Sequence, residues 1–270
     1  MKDFISLLII TFSLLIISNV DSKGQLQPYV IIPPSYIPCN DWNTPIPNEP
    51  NCKNIGCDNP QAQWQSGMRL VSVPQWPGCY FAVWYCYRVC NLNPYIVQTS
   101  IYYWHRATSP CPDCNNYETW FATDPQTNVQ IMGVRLWEAV TLDLYQEHVD
   151  YLDNQGKKHL LYCPNNKVEY TATKSACKSY CYYQVNNNGN PYGVTEVKEC
   201  NQGSCCVYGR KYCIDPMTHE VVIEGTTFHE EILQEVGFCD EQQQVQFSTE
   251  CNNGFNRTIE PCNNNCIEPD

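Results

Sequence analysis

The stretch Cys79–Trp104, CYFAVWYCYRVCNLNPYIVQTSIYYW, decides how the rest of the chain is read. Tyr80 to Cys90 is rich in aromatic and β-branched residues, Asn91 to Pro94 is turn-forming, and Tyr95 to Trp104 repeats the strand pattern. Two such runs around a short polar break predict a β-hairpin. Both arms carry large residues at odd and even positions. Side chains alternate between faces of a strand, so one face packs on the core and the other is either covered by the helix that follows or left as an aromatic surface. A second version follows at Cys206–Phe228, CVYGRKYCIDPMTHEVVIEGTTF. Its arms are Cys206 to Ile214 and Glu220 to Phe228, with Asp215 to His219 between them.

Order and spacing suggest two diverged copies of one unit. Cys79 and Cys86 have six residues between them, and so do Cys206 and Cys213. Each hairpin is followed by a helical pattern, an aromatic-Cys pair (Tyr162-Cys163, Phe238-Cys239), a Val-x-aromatic strand (Val168 to Tyr170, Val245 to Phe247) and a further cysteine (Cys177, Cys251). The predicted fold is mainly β with one inserted helix, a β-rich α+β arrangement of two disulfide-stapled, duplicated hairpin units. The first spans 62–185 and the second 192–270. Asn186 to Pro191, polar and turn-forming, reads as the linker.

Within the first unit Met68 to Val73 and Lys167 to Thr173 read as strands, and Ser109 to Asn116 as a loop. The period changes over about 133–154. Trp137, Val140, Leu144, His148 and Leu152 recur at helical spacing, with Leu136, Thr141, Tyr145 and Val149 beside them. Gly156 fits the C-terminal cap of this helix. In the second unit Val194 to Lys198 and Gln243 to Ser248 read as strands, Phe228 to Val236 as a short helix, and Asn252 to Asp270 as loop.

Two segments precede the units. Met1 to Ser22 has a short charged start, an apolar run from Phe4 to Ile17 and small residues near a cut site, which predicts a signal peptide. Lys23 to Gln61 contains eight prolines, which fix φ and remove donors, so it reads as an extended arm. No later apolar run approaches the 20 or so residues of a membrane span.

Nineteen cysteines in 270 residues point to an oxidising compartment, and hence to a secreted or cell-surface, extracellular or periplasmic, location. The net charge is −12, and −11 without the leader. An acidic chain lacks the basic patch that nucleic acid or anionic lipid requires. The disulfide candidates are Cys79, Cys86, Cys90, Cys111, Cys114, Cys163, Cys177 and Cys181 in the first unit. Those of the second are Cys200, Cys205, Cys206, Cys213, Cys239, Cys251, Cys262 and Cys266. Eight and eight allow each unit to close on itself. Adjacent Cys205 and Cys206 face opposite ways and need different partners. The arm then holds three, so one of Cys39, Cys52 and Cys57 is the predicted unpaired thiol, available for an intermolecular disulfide.

No motif assigns a catalytic centre, a cofactor or a metal. Cys111-Pro112-Asp113-Cys114 has thiol-oxidoreductase spacing but reads without a helix behind it. The five histidines form no His-Glu-x-x-His run, and no nucleophile elbow or phosphate loop is present. Glu138, Glu147 and Asp150 read as the solvated side of the helix. Tyr80, Trp84, Tyr102 and Trp104 are the candidate binding surface. The leading reading is a non-enzymatic exported protein, a surface, matrix or adhesion component with a protein or glycan partner. The rivals are a secreted hydrolase whose site assembles only in the fold, and a thiol-active protein using Cys111 and Cys114.

Overall fold

The structure is a computed structural model of the 270-residue chain. It describes residues 17–20, 26–29, 39, 52, 55–57, 59, 61–92, 95–108, 111–175, 177–187, 190–200, 204–232, 246–264 and 266. Strands dominate. Ile17–Val20 (β1) and Leu26–Tyr29 (β2) form a small antiparallel ribbon of their own. The predicted leader otherwise lies outside the described residues.

Nine further strands form one sheet. They are β3 (Gln65–Val73), β4 (Trp76–Leu92), β5 (Tyr95–Arg106), β6 (Val168–Ser175), β7 (Cys177–Asn187), β8 (Asn190–Glu199), β9 (Ser204–Ile214), β10 (Val221–Ile232) and β11 (Phe255–Asn264). β4 pairs with β5 along its length, from Leu92↔Tyr95 to Phe81↔Arg106, and β3 lies outside β4. The other side of β5 is shared. Tyr95–Gln98 takes β6 in parallel, and Tyr103–His105 takes β8 antiparallel. The sheet therefore forks at β5 into a β6-β9-β10 branch and a β8-β7-β11 branch.

This topology interleaves the two predicted units. β6 from 62–185 pairs with β9 from 192–270, and β8 sits between β5 and β7. The predicted linker is the end of the β7–β8 hairpin, with Asn186 opposite Pro191 and Asn187 opposite Asn190. An Asn-Gly step between strand-forming runs is a hairpin signal.

The helices begin earlier than the period suggests. α1 (Pro112–Thr123) and α2 (Pro125–Asn154) each open on a proline. Proline suits the first helical position, whose missing N–H would have no helical partner. Cys111 and Asp124 cap them, Asp124 Oδ1 accepting from the Thr127 amide at 3.2 Å. So 109–116 is not a loop throughout. α2 ends in a Schellman turn. Lys157 N donates to Leu152 O and Gly156 N to Asp153 O, both at 2.8 Å, with Gly156 at φ +68°. A 3-10 turn follows at Lys158–Leu161.

Three further assignments change. Phe228 and Ile232 belong to β10, not to a helix. Ser248, placed in a strand, instead caps the short helix α3 (Thr249–Asn253). Phe255–Asn264, read as loop, is edge strand β11 paired with β7.

The helices cover one face of the sheet. Phe81, Val83 and Tyr85 of β4 pack with Tyr117 and Phe121 of α1 and with Val129, Met132, Leu136 and Val140 of α2. Further along α2, Trp137, Tyr145 and Val149 pack on Val168, Tyr170, Tyr208 and Tyr212. Trp137 Nε1 also donates to Thr99 Oγ1 at 2.7 Å. The alternate residues of β4, Ala82, Trp84 and Cys86, face the other way.

The opposite face is stapled to the N-terminal arm. Cys39 bonds Cys86, Cys52 bonds Cys205 and Cys57 bonds Cys90. All three arm cysteines are therefore paired, and the predicted free thiol in the arm is not found there. Cys163–Cys213 and Cys181–Cys251 cross between the predicted units, so the units do not close separately. Cys79–Cys114, Cys200–Cys262 and Cys206–Cys266 are the other bridges with both ends described. Cys177 is bonded to a residue outside the described set. Cys205 and Cys206 take Cys52 and Cys266, as neighbours facing opposite sides of a strand must. The free cysteine among the described residues is Cys111.

Candidate functional site

A cleft of about 950 Å³ lies between α2 and the strand edges on either side of it. That volume is at the upper end of small-molecule sites. One wall is the edge strand β3, Leu70 to Val73, with the turn residues Pro74 and Gln75 and then Pro77. The floor is α2, through Ile131, Val134, Ala139 and Leu142. The far wall is Tyr212 of β9 with Val221 and Ile223 of β10. Among the described residues β3 and β10 each pair on one side only, so the cleft runs between two sheet edges.

The walls leave apolar groups in the open. Tyr80 is 40% exposed, Leu142 42% and Ile223 48%, and all three line the cleft. Leu142 and Ile131 stand off the buried stripe of α2.

The charges of the cleft are matched. Arg210 of β9 hydrogen-bonds and ion-pairs with Glu138 of α2. Arg69 of β3, at the cleft's end, pairs with Asp143 at 3.1 Å and with Glu147. Burial raises the Asp143 carboxyl above its ordinary range, the Arg69 guanidinium opposes this, and the Glu147 charge adds to it. The Arg135 guanidinium lies 5.8 Å from the Trp76 ring centroid and 5.5 Å from that of Trp120, a cation–π arrangement. Both carboxylates of the lining therefore face an arginine.

The three helix acids end up apart. Glu138 lines the cleft wall, Glu147 is on Arg69, and Asp150 is exposed and accepts from Gln146 Nε2 at 3.0 Å. His148 is half-buried with its ring 5.2 Å edge-on to Tyr95, and burial lowers its pKa. It is a packing residue, as its place on the helical stripe suggests.

The candidate binding surface divides. Tyr80 lines the cleft, but Trp84 and Trp104 are buried at 6% and 5% exposure. Trp84 packs on Tyr103 and His105, with ring centroids 5.2 and 5.3 Å away. Tyr102 is half-buried against Trp64 and the Cys39–Cys86 bridge. Trp104 is core because it belongs to the cluster under the helices, and Trp84 because Ala82, Ala107 and their neighbours pack around it on the other face.

Cys111 and Cys114 have the helix that the sequence reading denied them. Cys111 caps α1 and its Sγ accepts from the Cys114 amide at 3.2 Å, while Cys114 is bonded to Cys79. Cys163, Cys213 and Glu224 have metal-ligand proximity, but the two sulfurs are joined to each other and Glu224 pairs with Lys167.

The cleft itself was missed. Its signals were apolar residues off the helical stripe, Ile131 and Leu142, and the Pro74 to Pro77 turn, but nothing local brings β3 and β10 to opposite sides of α2. No helix among the described residues is long and apolar enough to cross a membrane. Comparison of the chain with protein-family models, with curated proteins and with solved structures returns no match.

Proposed function

We propose that this disulfide-rich protein is exported and works by binding, with the cleft over α2 as the site for a neutral, largely apolar ligand. The observation that carries this reading is the pairing of open apolar walls with matched charges. Leu142, Ile223 and Tyr80 offer contact area, while Glu138 and Asp143 are each held by an arginine. Such a lining favours burial of an apolar body and offers no free carboxylate pair for hydrolysis. The cysteine content and the bridges support an oxidising, extracellular setting. A surface or matrix role would then use this cleft rather than the aromatic hairpin face.

The test is fluorescence titration with N-phenyl-1-naphthylamine, which brightens in apolar sites. Leu142→Glu and Ile223→Lys should each weaken binding by about tenfold or more, because each replaces buried apolar contact worth about 1.5–3 kcal/mol by a charge. Leu92→Glu, at a residue 77% exposed and outside the cleft, should leave binding unchanged. Equal binding by all three variants would refute the assignment.

A further inference from the structure

Three cysteines meet where β4 starts and α1 starts. Cys79 and Cys114 are bonded, and Cys111 is the free cysteine among the described residues. Cys111 is the N-cap of α1 and Cys114 its third residue. N-cap side chains reach the backbone of that position, which brings the two cysteines together. The Cys111 sulfur accepts from the Cys114 amide at 3.2 Å and donates to the Gly78 carbonyl at 3.6 Å. It thus touches Cys114 itself and the residue preceding Cys79. Cys111 is partly exposed, whereas Cys79 and Cys114 are fully buried.

We propose that Cys79, Cys111 and Cys114 form a thiol–disulfide exchange centre, in which Cys111 attacks the Cys114 sulfur and displaces Cys79. The Cys111 thiol loses its proton to solvent. Its thiolate forms the Cys111–Cys114 bond as the Cys79–Cys114 bond breaks, and the Cys79 thiolate takes up a proton. One S–S bond replaces another, so no oxidant or reductant is consumed. The amide already aimed at the Cys111 sulfur provides a donor for the attacking thiolate. The product bridge has Cys-x-x-Cys spacing at a helix start, and the displaced Cys79 stays in the core where it can attack back.

The exchange changes what holds the cleft's lip. The hairpin is tied to the first turn of α1 three times, by Cys79–Cys114, by the Cys111 contact to Gly78 O and by Gly78 N donating to Asp113 Oδ2 at 2.7 Å. A Cβ at Gly78 would lie 2.8 Å from Asp113 Oδ2, so a larger residue there would have to displace this carboxylate. Trp76 then packs on Tyr117 and Trp120, with ring centroids 5.3 and 4.9 Å away. Transfer of the bridge removes the covalent tie next to Pro74, Pro77 and Tyr80, which line the cleft. The centre stands on the cysteine geometry and does not depend on what the cleft binds.

The test uses the full chain. It is incubated at mildly alkaline pH, quenched with acid, alkylated with N-ethylmaleimide in denaturant at mildly acidic pH, and mapped by non-reducing peptide mass spectrometry. Cys79 label should rise with incubation to about a tenth or more of the Cys111 label, as for two bridges of comparable stability. The Cys111→Ser variant should carry no Cys79 label. In Cys79→Ser the remaining pair should close as Cys111–Cys114 and resist alkylation. Label confined to Cys111 in the unaltered chain would overturn the proposal, and so would label on Cys114 in place of Cys79. The mapping of the unaltered chain needs no variant to fold.

Discussion

Tyr145 of α2 stacks on Tyr212 of β9, with ring centroids 5.3 Å apart and planes 21° from parallel. The two hydroxyls have different surroundings. Tyr212 OH lies 3.0 Å from Thr141 Oγ1, whereas Tyr145 OH is buried with no hydrogen-bond partner among the described residues. The same substitution should therefore have opposite signs at the two sites. Tyr212→Phe should cost about 1 kcal/mol by urea unfolding, and Tyr145→Phe should be neutral or stabilising by up to about 1 kcal/mol. Thr141→Val should cost less in the Tyr212→Phe background than alone, since the shared bond is then already gone and only the bond from Thr141 Oγ1 to the Glu138 carbonyl is left to lose. Losses at Tyr212 and Thr141 that simply add would show that the two hydroxyls are not bonded.

The arm is held over a buried cation. The Arg88 guanidinium lies 4.6 Å from the Trp64 ring centroid, and Arg88 Nε donates to Gln98 Oε1 at 2.8 Å. Burial lowers the Arg88 pKa to about 10. Gln98, itself fully buried, donates from Nε2 to Thr173 Oγ1 at 2.6 Å and to Ile55 O of the arm at 3.0 Å. Gln98→Leu should cost about 1.5–3 kcal/mol, the range for a hydrogen bond to a charged group. Removing Cys52–Cys205 with a double alanine variant should cost about 2–5 kcal/mol, because this bridge closes the longest sequence separation of those described, 153 residues. Protease nicking confined to the arm in the double variant is the expected readout; an arm as resistant as before would place its anchorage elsewhere.

Local patterns were legible in the sequence, and long-range pairings were not. Tyr80 to Cys90 and Tyr95 to Trp104 carry their own strand and turn chemistry and are β4 and β5. Gly156 marks the end of α2 because only its left-handed conformation completes the Schellman turn. The repeat was harder to judge. Cys79/Cys86 and Cys206/Cys213 share a spacing, yet their bonds go to Cys114, Cys39, Cys266 and Cys163, which no spacing encodes. The helix starts and the last strand lie outside the sequence expectations. Pro112 and Pro125 open helices rather than break them, and Pro261 sits in β11, an edge strand where a missing N–H is tolerated. The cleft depends on β3 and β10 flanking α2, a relation between strands about 150 residues apart.

Buried tyrosines set an alkaline limit to stability. Burial pushes Tyr85, Tyr102 and Tyr182 up to about 12, against an unfolded value near 10. The folded chain holds these protons more tightly than the unfolded chain. Their contribution is therefore fully present below pH 10 and is lost as pH rises from 10 towards 12. Rapid spectrophotometric titration should show a tyrosinate wave near pH 12 that coincides with loss of near-ultraviolet circular dichroism. The same titration in denaturant should collapse to a single wave near 10. Native titration complete near 10 would contradict the packing of these rings.

The Arg210–Glu138 pair in the cleft wall supplies a test of charge matching. The Arg210 side chain is 11% exposed and Glu138 24%, so each is shielded but not sealed. Arg210→Met leaves the Glu138 carboxylate without its guanidinium. That should cost about 3 kcal/mol, the low end for breaking a buried pair, given the remaining exposure of Glu138. The double variant Arg210→Met with Glu138→Gln should recover much of this, because no uncompensated charge is left. The pH dependence separates electrostatics from lost packing. Protonation of Glu138 removes the stranded charge, so the single variant's deficit should shrink as pH falls through the carboxylate range, near 4.3 for an unperturbed Glu. The double variant has no titrating group at either position, so its deficit should change less over the same range, by only what the unaltered protein loses as its own Glu138 is protonated. A single-variant deficit that does not change with pH would assign the role of Arg210 to packing of its stem against the cleft rather than to its charge.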